Sequence, residues 1–318
     1  MSAQSSKIVA FNKEIEVRKN PPKAIKFEVC HDGKSVQVQL AENTKENFRQ
    51  FDPWTLACVC EAEKTLQIAI QTITFKVKRN ASDSDKFNLY FEAFKRRVSF
   101  LQMNNIAIPL NFLILLDGKA IQLYTEKELF NRPANEIIRT DLLEDRNVNT
   151  STNLEKAFQT FLYGDGIPLR TNARLAILGD HFLDVMKKDL PILREYPTGV
   201  FDKKVSDETR ILMRDSVDFV SINKTGCLSV IELKSDINAP IELISQILDY
   251  ALFFACYKDQ LLKTANFKPF VAKIRKEEIA CYVVANLFHQ RIDSILPYYR
   301  TSGKYGFELY KVILGYTS

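Results

Sequence analysis

One segment constrains this chain more than any other: SVDFVSINKTGCLSVIELK, Ser216 to Lys234. Two apolar runs flank Asn223-Lys224-Thr225-Gly226, whose composition is that of a tight turn, so the runs read as paired strands. Each run carries a carboxylate against its apolar grain: Asp218 beside Val217, Phe219 and Val220, and Glu232 between Ile231 and Leu233. Asp218 lies five residues before the turn and Glu232 six after it, nearly in register across the hairpin. Alternate side chains of a strand share a face, so Glu232 and Lys234 point one way while Ile231 and Leu233 face the opposite layer.

Around this hairpin the pattern is α/β. A helix is expected over about Asn153 to Tyr163 and a second helical stretch around Ala173 to Lys188. Strand-like segments follow at Ile192 to Val200, Arg210 to Ile222 and Leu228 to Leu233. Pro240 suits the first turn of a long helix reaching about Leu262. Ile279 to Phe288 reads as a strand, Gln290 to Tyr299 as a helix and Phe307 to Tyr316 as a closing strand. That order predicts an α/β domain with a mixed sheet.

The preceding half reads as a β-rich α+β domain. Lys23 to Cys30 and Lys34 to Leu40 flank His31-Asp32-Gly33, and Asn111 to Leu116 joins Ala120 to Tyr124 through Asp117-Gly118-Lys119; Asp-Gly marks both as hairpins. Leu66 to Val77 is β-branched enough for a strand, and Phe87, Phe91, Phe94, Val98 and Leu101 have helical spacing within Asp85 to Gln102. The polar stretch Glu144 to Asn153 is the best linker. The expected domains are therefore 1–145 and 151–318.

Composition excludes several classes. Of 318 residues 46% are hydrophobic and 26% charged, too apolar for disorder, and Gly 10 with Pro 11 excludes collagen-like and low-complexity chains. The longest strongly apolar run, Tyr250 to Tyr257, falls far short of the ~20 residues a bilayer crossing needs. The polar opening MSAQSSKIVAF lacks the pattern of a secretory leader. A cytoplasmic protein with no membrane partner is the expectation. Six cysteines include only the Cys58/Cys60 pair at close spacing, and with three histidines a His/Cys metal site or a His-based hydrolase has little material. The net charge of +5 tolerates a nucleic-acid partner without demanding one.

The carboxylates and the lysine carry the chemistry. Hard oxygen ligands suit Mg²⁺, which keeps several waters and is shared with substrate phosphates. Such a metal polarises a phosphoryl oxygen and lowers the pKa of a bound water, and a nearby lysine orients that water or stabilises developing charge. At these residues the sequence resembles the PD-(D/E)XK, or restriction-endonuclease-like, nuclease superfamily, whose signature is an Asp in one strand and Glu-x-Lys in the next within an αβββαβ core. The resemblance implies that Asp218 and Glu232 are metal ligands, with the main-chain carbonyl of Leu233 completing the site, and that Lys234 is the catalytic lysine. Val217 stands where the "PD" proline would be.

Gln246 and Tyr250, four residues apart on the following helix, match a pattern of the RecB-like and mismatch-endonuclease-like branches, and Glu155 fits a glutamate many members carry on the first core helix. An accessory domain before such a core is also similar to Shedu-type phage-defence nucleases. The resemblance implies a Mg²⁺- or Mn²⁺-dependent endonuclease acting on DNA, in phage defence or repair, often as a homo-oligomer. A nuclease acting on RNA, or a nucleic-acid-binding module that keeps the fold without cleavage, is the alternative.

Structural competitors stand beside each role. Thr152-Asn153-Leu154-Glu155 is also a capping box, which would occupy Glu155 with a backbone amide. Gln246 and Tyr250 can be the polar edge of a helix buried through Ile244, Ile247, Leu248 and Ala251. The clusters Lys76 to Arg79 and Phe94 to Arg97 could track phosphates or be solvated faces. Trp54 reads as a core anchor.

Overall fold

The structure, a computed structural model, describes residues 22–80, 86–103, 110–139, 154–163, 175, 178, 182, 191–212, 215–234, 239–299 and 306–313. The chain divides into two compact units. One comprises Met1–Leu129, Ile244–Gln246 and Gln290–Tyr299; the other comprises Phe130–Leu243, Ile247–His289 and Arg300–Ser318.

The first unit is built on a five-stranded sheet, β1 (Ile25–Val29), β2 (Ser35–Leu40), β3 (Thr72–Val77), β4 (Asn111–Leu116) and β5 (Lys119–Ile121), in that spatial order. Both Asp-Gly hairpins form, β1 with β2 and β4 with β5. β2, β3 and β4 run parallel, because helices α1 (Lys45–Leu66) and α2 (Phe87–Met103) make the crossovers between them. The sequence pattern does not announce α1, and the strand expected from Leu66 starts only at Thr72. Thr44 caps α1 by accepting the Asn47 amide at 3.2 Å. The helix carries Pro53 in its interior and is buried on nearly every side from Phe48 to Val59, Trp54 included. Phe51, Phe75 and Phe94 close the core, the Phe51 and Phe94 rings stacked and Phe75 edge-on to Phe94, both with centroids 5.1 Å apart.

The main sheet of the second unit and its helices draw on α3 (Leu154–Tyr163), β7 (Leu193–Pro197), β10 (Ser216–Ile222) and β11 (Leu228–Lys234). They continue with α4 (Leu243–Leu261), β12 (Ile279–Ala285) and β13 (Phe307–Ile313). Those strands form a second mixed sheet in the order β13-β12-β11-β10-β7, with β7, β10 and β11 antiparallel and β11, β12 and β13 parallel. The expected α/β fold with a mixed sheet is therefore present, and counted over the strands of this sheet alone its elements run αβββαβ with β13 added. A small three-stranded sheet, β6 (Glu136–Ile138) with β8 (Val200–Asp202) and β9 (Arg210–Leu212), completes the unit.

Phe158, Leu162 and Tyr163 of α3 pack with Phe219, Ile231, Leu233, Tyr282 and Val284 of the sheet, and Leu175, Leu178 and Phe182 join the same core. The remainder of the helix expected at Ala173 to Lys188, the linker Glu144 to Asn153 and the capping residue Thr152 lie outside the described residues. No helix among the described residues is long and apolar enough to cross a membrane.

Candidate active site

The hairpin that the sequence singles out sets the site. The β10–β11 ladder pairs Ile222 with Leu228, Ser221 with Ser229, Val220 with Val230 and Phe219 with Ile231. Gly226 makes the turn at φ +84°, where an L side chain is strained, and Asn223 Oδ1 accepts the amides of Thr225 at 3.1 Å and Cys227 at 3.0 Å. The register carried one step further sets Asp218 directly opposite Glu232. At that step the Leu233 amide donates to Asp218 Oδ2 at 2.6 Å, so a side chain takes the amide just past the last paired residues. On the other flank β7 pairs Arg194 with Phe219 and Tyr196 with Val217. Between them Glu195 holds a left-handed backbone, φ 47°, an irregularity of the kind that collects at functional sites.

Three charged side chains meet here. Lys234 Nζ donates to Glu232 Oε1 at 2.7 Å, as the shared face of alternate residues requires. Glu232 is 2% exposed, Asp218 8%, and the Lys234 side chain 20%. From α3, Gln159 Nε2 donates to Asp218 Oδ1 at 2.5 Å, and Gln159 is itself buried. Glu155, one helical turn before Gln159, is half-buried and close enough to act electrostatically on all three charged groups.

Among the described residues the Lys234 ammonium faces two buried carboxylates, and the protonation equilibria register the imbalance. Burial, reinforced by the charge of Glu232, raises the Asp218 carboxyl well above the usual carboxylate range, against the pull of the Leu233 amide and Lys234. Burial likewise pushes Glu232 up to about 7, partly offset by Lys234 and reinforced by Glu155 and Asp215. Burial alone would lower the Lys234 ammonium, but Glu232, Asp218 and Glu155 together raise it, so the lysine stays charged. Perturbed carboxyl groups of this kind mark functional-site candidates.

The structure thus brings Asp218, Glu232, Leu233, Lys234 and Glu155 together. Tyr250 is buried, with its hydroxyl donating to the Ser216 carbonyl at 2.9 Å, two residues before Asp218 on β10. Gln246 sits half-buried in the turn of α4 that belongs to the first unit. Ile244, Ile247, Leu248 and Ala251 are core, as the helix pattern indicates. Gln159 and Asp215 are not singled out by sequence reasoning; the i, i+4 relation of Gln159 to Glu155 is the available signal.

The arginines of FKRR are not a phosphate track. Arg96 pairs with Glu92 at 2.8 Å, and Arg97 donates twice to Asp52, at 3.0 and 2.9 Å, both arginines being buried.

Among the described residues no group of three His, Cys, Asp or Glu side chains could hold a metal ion. Asp218 and Glu232 are nevertheless hard oxygen donors of the type that Mg²⁺ takes. They offer two carboxylates, and Mg²⁺ takes only one or two carboxylates, filling its other positions with water and phosphate oxygens. The buried Gln159 Oε1, which accepts no hydrogen bond from the described residues, adds an unsatisfied oxygen beside Asp218.

No family model and no curated protein matches the chain. Among solved structures it is similar to a repair endonuclease from Pyrococcus abyssi, at 18% identity and a TM-score of 0.20, a score too low to support an argument. That match spans 41% of each chain.

Proposed function

We propose that this chain is a divalent-cation-dependent endonuclease that hydrolyses DNA phosphodiester bonds. The observation that carries the reading is the pair Asp218 and Glu232, buried on adjacent strands beside Lys234, both with carboxyl groups raised by burial. A second cation would offset the cost of keeping them ionised, and carboxylate oxygens select a hard one. Asp218 and Glu232 would hold Mg²⁺ or Mn²⁺ with the Leu233 carbonyl. A bound ion of this kind polarises a phosphoryl oxygen and makes a water nucleophilic near neutral pH. Lys234 keeps its proton and steadies the charge that grows on phosphorus or orients the attacking water. Glu155 adds negative charge to the cation's surroundings, Tyr250 anchors α4 on the strand that bears Asp218, and Gln246 is assigned to the nucleic-acid path. Phage defence or DNA repair is the setting this activity would serve, and cutting both strands of a duplex is work for a homo-oligomer.

A reading of a different class has its own observation. Lys234 already occupies Glu232 Oε1, and both Asp218 oxygens already accept hydrogen bonds, an arrangement that a nucleic-acid-binding module without cleavage could keep as structure.

A cleavage assay separates the two. It would use supercoiled plasmid, single-stranded DNA and RNA with Mg²⁺ or Mn²⁺, and EDTA, Glu232→Ala and Lys234→Ala as controls. The nuclease reading predicts plasmid cleavage that EDTA and both substitutions abolish. Cleavage of RNA alone would move the substrate. Binding to DNA without metal-dependent turnover by folded protein would establish the binding module instead.

A further inference from the structure

Gln159 is a neutral side chain bonded to the carboxylate pair, and it is bonded unequally. Its amide nitrogen donates to Asp218 Oδ1 at 2.5 Å, while its carbonyl oxygen Oε1 is buried and accepts no hydrogen bond from the described residues. Buried polar atoms are nearly always satisfied, and an unmet one costs about 1–3 kcal/mol. A glutamine whose task was only to pack α3 against the sheet would be replaced at no loss by an apolar residue of the same size, since Phe158 and Leu162 of that helix already supply the packing. The 2.5 Å bond also holds the carboxylate at one oxygen while the Leu233 amide holds the other, fixing the plane of the Asp218 carboxyl group from two sides. Fixing a ligand's orientation is what the outer partners of metal-ligating carboxylates do.

On this basis we propose that Gln159 is a positioning residue for the divalent-cation site, an inference that rests on the nuclease reading above. Its Nε2 sets the direction in which Asp218 presents its remaining lone pairs, and its Oε1 is the acceptor for a donor that arrives with the hydrated cation. Glu155, on the same stripe of α3, adds charge, whereas Gln159 adds geometry.

The test is calorimetric titration of Mn²⁺ into the full-length wild type, Gln159→Met and Asp218→Asn, with urea unfolding of each protein in EDTA. Methionine keeps the length and volume of glutamine without its amide. The expected result is Mn²⁺ binding by the wild type, none by Asp218→Asn, and affinity lowered roughly 10- to 100-fold in Gln159→Met. The metal-free unfolding midpoint of Gln159→Met should stay close to that of wild type, because loss of the unmet Oε1 offsets loss of the bond to Asp218 Oδ1. Gln159→Met that binds Mn²⁺ like wild type would overturn the positioning role and leave the cation site standing. A lower unfolding midpoint with unchanged affinity would make Gln159 a structural residue. A wild type that binds no Mn²⁺ would overturn the cation site itself, and the role of Gln159 with it.

Discussion

The two five-stranded sheets each bury charge, and they treat it in opposite ways. In the first unit Asp52 is fully buried in α1, and its charge is matched by one arginine. Arg97 holds Oδ1 through two nitrogens, and Oδ2 accepts the hydroxyls of Ser245 at 3.0 Å and Tyr299 at 3.1 Å. Arg97 also caps the Phe48 carbonyl at 2.7 Å. One negative charge meets one positive charge, and each carboxylate oxygen has partners. In the second unit Lys234 is the cation that the described residues set against Asp218 and Glu232, and Glu155 and Asp215 add negative charge. Balanced burial describes a structural lock. A surplus of buried negative charge is a cost to the fold, retained where a cation or a reaction can use it.

The largest expected effect breaks the balanced side. Arg97→Met leaves the buried Asp52 without its arginine partner and should destabilise the protein by about 3–5 kcal/mol, read as a lowered urea midpoint. Arg97→Met combined with Asp52→Leu removes both charges and should recover much of the loss.

On the surplus side the sign reverses. The pKa of Glu232 in the folded protein, about 7, lies above its ordinary 4.5, so the folded state holds the proton more tightly than the unfolded chain does. The stability linked to this group is complete below about pH 4.5 and is lost as pH rises through 7. Glu232→Gln should therefore stabilise the metal-free protein at pH 8 and flatten the pH dependence of its urea midpoint. A destabilised Glu232→Gln at pH 8 would mean that Lys234 compensates the site fully.

The two hairpin turns sharpen the comparison further. Gly226 and Gly118 both have positive φ, but a Cβ on Gly226 would lie 2.7 Å from the Arg275 Cβ, whereas one on Gly118 would meet nothing within 4 Å. Gly226→Ala should cost about 2–3 kcal/mol and Gly118→Ala about 1 kcal/mol, measured by urea unfolding. Only Gly226→Ala should also weaken Mn²⁺ binding, because its turn sets Asp218 against Glu232.

How much of the molecule is legible in its sequence depends on the range of the interactions. The register of Asp218 and Glu232 is local: a short turn and a two-residue period determine it. The Asp-Gly hairpins are legible for the same reason. α1 is not, because its interior proline and its burial on nearly all sides erase the one-faced periodicity by which a helix is recognised. Arg97 looks like part of a cationic patch because its acidic partner, Asp52, lies 45 residues away, whereas the i, i+4 spacing of Glu92 and Arg96 is a legible sign of pairing. Gln159 escapes for a similar reason: its bond to Asp218 spans 59 residues and exists only once α3 lies on the sheet.

The central claim is that the surplus charge at Asp218 and Glu232 is a divalent-cation site. Thermal unfolding at pH 8 with and without Mn²⁺, for wild type and Asp218→Asn, tests it most directly. A cation that binds only the folded protein adds about 2.7 kcal/mol of stability at a hundredfold excess over its Kd. The account predicts that Mn²⁺ raises the unfolding temperature of the wild type and leaves Asp218→Asn unmoved. Equal shifts in the two proteins, or none in the wild type, would contradict it.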